Sequence, residues 1–187
     1  TLINSLYNVR TFYRIISDQI TAIKYYDIDY TNSNNHGSFS FNPKINEIRE
    51  ISIDNCPECT YSSTTIDDYK FDKIALIKIS AAGLEKNVLM GAENSIRECS
   101  NPPIILELWD DSFYETEKNE CLEILASLGY ESVNRVGNHV IAFKNNDDYI
   151  LYSENVSKVG EFGGFNVFDN PVNIKDAVED QAASNAE

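Results

Sequence analysis

Few residues in this chain combine a reactive side chain with surroundings that chemistry could use. Residues 76–92, LIKISAAGLEKNVLMGA, run from an apolar strand-type segment through small residues and a glycine. Apolar positions then follow at Leu84, Val88, Ala92 and Ile96 with helical spacing. Open α/β sheets gather their ligands at such strand-to-helix turns, outside the carboxyl ends of the strands. The turn itself supplies Ser80, Ala81 and Ala82, so its only reactive group is a hydroxyl. A hydroxyl donates one hydrogen bond and cannot act as a carboxylate base at neutral pH. Glu107 interrupts the apolar run IILELW at 104–109. An isolated buried carboxylate is costly, so it reads either as a partnered acid in a cleft or as half of a structural ion pair. Trp109, at the carboxyl end of that run, is placed to floor an acceptor pocket or to pack at the rim of the core. His36, in the polar loop TNSNNHG at 31–37, titrates near neutrality and suits proton transfer, although nothing nearby in sequence orients it.

The remaining candidates point to structure. Cys56-Pro57-Glu58-Cys59 has the spacing of half a zinc ribbon or of a redox pair. A structural zinc site takes four ligands, and no second CxxC or CxxH completes it. The Asp, Asn, Pro, Ser and Thr around it read as loop. With Cys99 and Cys121 the thiols are scattered, which fits a reducing compartment better than a disulfide framework. Asp110-Asp111 look like metal ligands, but adjacent acids after a strand are ordinarily solvated or cap the next segment. His139 falls in a hairpin and reads as structural. The GEFGG at 160–164 precedes no helical pattern and reads as flexible loop.

Composition narrows the partners. The 187 residues carry 15 basic and 30 acidic side chains, a net charge of −15, which disfavours general nucleic-acid or anionic-membrane binding. No apolar run approaches the ~20 residues of a membrane span. Thr1 opens a polar segment without a leader pattern, and a cytoplasmic location is expected. A first residue other than Met fits a processed product, an engineered excerpt or a piece of something longer.

The elements that must position these residues are legible as patterns. Strands are expected at 9–16 and 20–28, and 38–53 mixes a short strand with irregular chain. A helical turn in 64–69 is capped by Thr65 or Asp67. A strand at 73–80, a helix at 83–98, a strand at 104–109 and a helix at 116–128 follow, the last stopped by Gly129. Segments 132–136 and 140–144 flank Gly137-Asn138 as a terminal hairpin. The fold class is α/β, with a mostly parallel sheet and an antiparallel edge hairpin. Domain 1–144 is followed by a weakly structured extension at 145–168, with a strand at 149–159, and an acidic, flexible tail at 169–187.

Residues 64–92, TTIDDYKFDKIALIKISAAGLEKNVLMGA, resemble the second half of the FkbM family of S-adenosylmethionine-dependent methyltransferases. That family shows a Leu-Asp-Asp stretch, a strand ending Lys-Ile-Asp-x-Glu-Gly, and a helix of the form x-Glu-x-x-Val-Leu-x-Gly-Ala. Ile66-Asp67-Asp68, Lys78-Ile79, Gly83, Glu85, Val88, Leu89, Gly91 and Ala92 fit in order. Pro103 with ILELW at 105–109 is similar to the family's next strand, and Leu128-Gly129-Tyr130 to its Leu-Gly-Tyr. Upstream, Ile16-Ser17-Asp18 is similar to a Leu-Ser-Asp after an earlier strand, and Asn35-His36-Gly37-Ser38 to a small polar loop. The resemblance covers about residues 9–144.

That resemblance implies the carboxyl-terminal part of a Rossmann-like methyltransferase fold acting on a hydroxyl acceptor, such as a glycan or a small molecule. It assigns catalytic roles to His36, Ser80 and Glu107 and acceptor contacts to Ser38, Gly83 and Trp109. It implies S-adenosylmethionine as cofactor. Two departures stand against activity. No glycine-rich turn of the donor-binding type precedes residue 9, and the family's Asp and Glu fall on Ser80 and Ala82. The isolated chain is therefore expected to bind the donor weakly or not at all. The rival expectation is a methyltransferase-derived module that binds or builds without catalysis. An incomplete sheet exposes an edge, so self-association or pairing with a missing N-terminal segment is also expected.

Overall fold

Ile104, Leu106 and Leu108 are completely buried, and the architecture is organised around the strand that carries the first two. The computed structural model describes residues 7–27, 36–51, 56–145, 147–148 and 172–176. Among them are strands β1 (Ile15–Ile16), β2 (Ala22–Tyr26), β3 (Glu58–Thr64), β4 (Ile77–Ile79), β5 (Ile104–Glu107), β6 (Ser132–Val136), β7 (His139–Phe143) and β8 (Val172–Asn173). The α-helices are α1 (Pro43–Ile48), α2 (Glu85–Met90), α3 (Glu93–Glu98) and α4 (Glu115–Ser127). The chain is mixed α/β, as expected, and its strands form two mixed sheets, ordered β1-β3-β2 and β4-β5-β7-β6-β8.

The larger sheet departs from the expected pairing. Only β4 and β5 are parallel neighbours; β5·β7, β7·β6 and β6·β8 are antiparallel. The cause is the two-residue turn at Gly137 (φ +58°) and Asn138, which forces β7 to return antiparallel. β7 then inserts between β5 and β6, so β4, β5 and β6 run in one direction without being adjacent throughout. Nor does the hairpin form the edge, because Val172–Asn173 adds β8 beyond β6 and Ile174 is buried against the core. That stretch belongs to the segment read as a tail. The expected strand at 149–159 and the glycines at 160–164 lie outside the described residues.

The helices cover one face of this sheet. Val88, Leu89, Ala92 and Ile96 from the α2–α3 segment, with Cys121, Leu122 and Leu125 from α4, pack on Ile77, Ile79, Ile104, Leu106, Val140 and Ala142. Strand alternation sends Ile141 and Phe143 to the other face, where they pack with Ile105 and Val136. Among the described residues no helix is long and apolar enough to cross a membrane.

Several elements differ from expectation for local reasons. The helix expected at 83–98 breaks at Gly91-Ala92, where the Ser17 carbonyl crowds the backbone so closely that a Cβ on Gly91 would lie 2.0 Å from it. Residues 38–53 contain α1 instead of a strand, started by Asn42, whose side chain accepts the Lys44 N–H at 3.1 Å, and by Pro43 at the first helical position. The CxxC segment is only partly loop: Glu58 and Cys59 begin β3, which pairs with both β1 and β2. None of the four cysteines is in a disulfide. The strand expected at 9–16 contracts to β1, and the helical turn at Asp67–Tyr69 forms, with Thr65 Oγ1 accepting the Asp68 N–H at 3.1 Å.

Asp67 ties the segment after β3 to the helices that pack on the larger sheet. Its carboxylate accepts the Ser95 N–H at 2.7 Å and the Asn94 N–H at 3.1 Å, so it caps α3 from a distant segment. Its own N–H donates to the Gly91 carbonyl at 3.0 Å. Nearby, Asp18 Oδ1 accepts the Asn87 Nδ2–H at 3.0 Å. The Gly91→Ala variant is expected to lose about 3 kcal/mol of unfolding free energy, the upper range for overpacking a closed contact. Urea titration of the variant against the parent chain measures it.

Candidate functional site

The turn after β4 is fixed by a carboxylate buried beneath it. Glu85, 1% exposed, accepts the Ala81 N–H at 2.7 Å through Oε1 and the Gly83 N–H at 2.9 Å through Oε2. Oε2 also accepts the Tyr114 hydroxyl. Burial, reinforced by the Glu85 charge, pushes the Tyr114 phenol well above its ordinary range, so it remains a donor. Ala82 (φ +50°) and Gly83 (φ +93°) are consecutive left-handed residues. Position 83 admits no side chain, because a Cβ would meet Ile45 Cγ1 at 2.7 Å. The turn's outward carbonyls are satisfied by the 40–42 loop: Ser40 Oγ donates to Ala82 O at 2.6 Å, and Asn42 Nδ2 to Gly83 O at 3.0 Å. That loop is braced by the buried Asn46 side chain, which accepts the Ser40 N–H at 2.8 Å and donates to the Ser40 carbonyl at 2.7 Å.

On this frame sits a cleft of about 350 Å³ at the carboxyl ends of β4 and β5, lined by Ser38, Arg49, Ser80, Ala82, Glu107 and Trp109 among others. Glu107 is its centre of charge. The Ser80 hydroxyl donates to Oε2 and the Trp109 indole N–H to Oε1 at 3.0 Å. The Ser80 bond first and the Trp109 bond second hold the Glu107 carboxyl below the usual carboxylate range. Partial burial opposes them, and His139 and Lys78 add smaller favourable fields. Glu107 is therefore an ionised hydrogen-bond acceptor at neutral pH, without an ion-pair partner among the described residues.

The cleft gathers four of the residues singled out in the sequence: Ser38, Ser80, Glu107 and Trp109. Gly83 is not on its lining. It is a packing and hydrogen-bonding residue of the turn, dictated by Ile45 and Glu85. The backbone of His36 opens the helical turn His36–Ser38, next to the cleft-lining Gly37, while its side chain lies outside the described residues. His139 is the strand partner of Glu107 across β5 and β7. Asp110 is a structural acid that pairs with Lys118 at 3.0 Å and Arg135 at 2.9 Å. The Asp111 carbonyl accepts the Tyr114 N–H at 2.8 Å at the head of α4.

Sequence reasoning missed Arg49 and Glu85. Arg49 Nη1 donates to the Ser38 carbonyl at 2.7 Å, and its guanidinium lies 4.4 Å from the Trp109 ring centroid. No sequence pattern announces that contact, which joins residues 60 positions apart by chain folding (109 − 49). Glu85 figures in the sequence only as a position of the family resemblance, and its physical cue is an acid in the first turn of a helix two residues after a glycine. A larger groove of about 660 Å³ runs along β4 past Phe12, Tyr69 and Phe71, but its lining is apolar apart from Arg14, Lys73 and Lys78.

No family model, curated protein or solved structure matches the chain.

The depressed Glu107 pKa has a sign that can be tested. A carboxylate whose folded pKa lies below its unfolded value stabilises the fold above the unfolded value, and loses that contribution as pH falls through the folded one. The unfolding free energy of the parent chain minus that of Glu107→Gln should therefore be largest near pH 7 and shrink steadily as acid is added below about pH 4.5, the ordinary Glu value. Denaturant titrations at a series of pH values measure the difference.

Proposed function

We propose that the chain forms the acceptor wall of an FkbM-like O-methyltransferase domain, a partial Rossmann-like fold that binds a hydroxyl-bearing small molecule or glycan. The observation that carries this reading is the convergence of Ser38, Ser80, Glu107 and Trp109 on one cleft at the carboxyl ends of two parallel strands. Ligands of open α/β sheets bind at that end. The common direction of β4, β5 and β6 also supports it.

The residues present do not fit S-adenosylmethionine. The 187 residues contain no Gly-x-Gly turn. Among the described residues the cleft holds one carboxylate, Glu107, and this reading gives it to the acceptor hydroxyl, so none remains for a ribose diol. The donor would be held by residues outside this chain, and the contribution of these residues is to bind and orient the acceptor. Glu107 accepts the acceptor hydroxyl's hydrogen, Ser80 fixes the carboxylate, and the indole of Trp109 walls the cleft beside them.

Trp109 is the only tryptophan in the chain, so its emission reports on this cleft alone. Titration with D-glucose should change that emission, and Glu107→Gln should weaken binding about tenfold, the worth of one charge-assisted hydrogen bond. Titration with S-adenosylmethionine should change nothing below millimolar concentration. A wild-type cleft indifferent to glucose overturns the acceptor assignment, and micromolar binding of the donor overturns the division of labour.

Ala82 favours a second reading, a module that binds its ligand without methyl transfer. Ala82 lines the cleft at a position where the family resemblance implies a carboxylate. In the native full-length protein the paired change Ser80→Asp and Ala82→Glu should raise methyl transfer to the bound acceptor if the loss of activity is local. An unchanged rate in a transfer assay with labelled donor supports the binding module. Asp at position 80 would replace the hydroxyl that donates to Glu107 with a second carboxylate, so one of the two acids should titrate at raised pH.

A further inference from the structure

We infer that the molecule bound in this cleft carries a carboxylate as well as a hydroxyl, as a sugar acid or another hydroxy acid does. The inference deepens the acceptor reading above and rests on it.

Arg49 is the only cation among the described residues lining the cleft, and Glu107 the only carboxylate. The two form no ion pair with each other, and no acid elsewhere among the described residues pairs with Arg49. A guanidinium carries five N–H donors. One bond, to the Ser38 carbonyl, is made to the protein, and the other donors have no protein acceptor among the described residues. The contact with the Trp109 ring and the bond to Ser38 hold the group in place, so little side-chain freedom is lost when a ligand arrives.

A planar fork with several open donors matches a carboxylate bidentately. The alternative of a phosphoryl group is disfavoured by the same cleft. Glu107 is ionised there and the whole chain carries −15, so a dianion meets about twice the repulsion of a monoanion. Arg49 thus takes the carboxylate, while Glu107 and Ser80 take the hydroxyl.

The test compares sodium D-glucuronate, D-glucose and inorganic phosphate at fixed ionic strength, by Trp109 emission and by calorimetry on the same chain. Glucuronate should bind at least tenfold tighter than glucose, and phosphate more weakly than glucuronate. Arg49→Gln should abolish the preference for glucuronate over glucose. Arg49→Lys, which keeps the charge but loses the fork, should reduce it at least threefold, and it serves as the readout if thermal melts show the Gln variant unfolded. Equal affinity for glucose and glucuronate overturns the inference and leaves the acceptor reading standing. Phosphate binding as tight as glucuronate overturns it in favour of a general anion site. No binding of any of the three overturns both.

Discussion

The cleft depends on a carboxylate that never reaches it. Glu85 lies beneath the turn after β4 and draws two backbone N–H groups and a tyrosine hydroxyl onto one side chain. Without it, two amides and a phenol would be left buried and unpaired, each at a cost of about 1–3 kcal/mol. With it, the chain accepts two successive left-handed residues, one of them an alanine, whose intrinsic cost is about 1–2 kcal/mol. That backbone aims the Ala82 and Gly83 carbonyls at Ser40 and Asn42, which brings the 38–42 loop over the end of the sheet. Because α2 begins at Glu85 itself, the helix and the turn position each other.

Electrostatics in the cleft follow from that geometry. Ser80 emerges from the clamped turn pointing at Glu107, and Trp109, two residues beyond Glu107, returns its indole N–H to the same carboxylate. Two donors outweigh the modest burial, so the acid is kept charged instead of neutralised. The same indole offers its ring to Arg49. One aromatic side chain thereby links the cleft's anion to its cation while they remain unpaired, and both charges stay available to a ligand.

How much of this was legible in the chain depended on the range of the determining contact. β5, α4 and the hairpin around Gly137-Asn138 appear within a residue or two of their sequence signals, because apolar periodicity and turn chemistry are local. β3 escaped notice because Glu58–Thr64 is polar and its pairing energy comes from two partner strands more than from side-chain hydrophobicity. α1 was marked by Asn42-Pro43, but six residues are too few for a helical period to show. Gly91 falls inside the helix expected at 83–98, and only the close Ser17 backbone explains the break there. In the site, the strand-end positions of Ser80, Glu107 and Trp109 were readable. Gly83 is held by Ile45 beneath the turn, and Arg49 reaches the cleft through a contact made only in three dimensions.

The cap on α3 has a bearing on how the molecule assembles. A six-residue helix is too short to nucleate on its own, and here even its terminal donors wait for Asp67, 27 and 28 positions earlier in the chain. Asp67 stands three residues after β3, and its N–H also donates to the Gly91 carbonyl at the break before α3, so α3 completes its capping only once the segment after β3 is in place. Loosening of that segment uncaps α3, which couples the fraying of this short helix to a stretch of chain outside it.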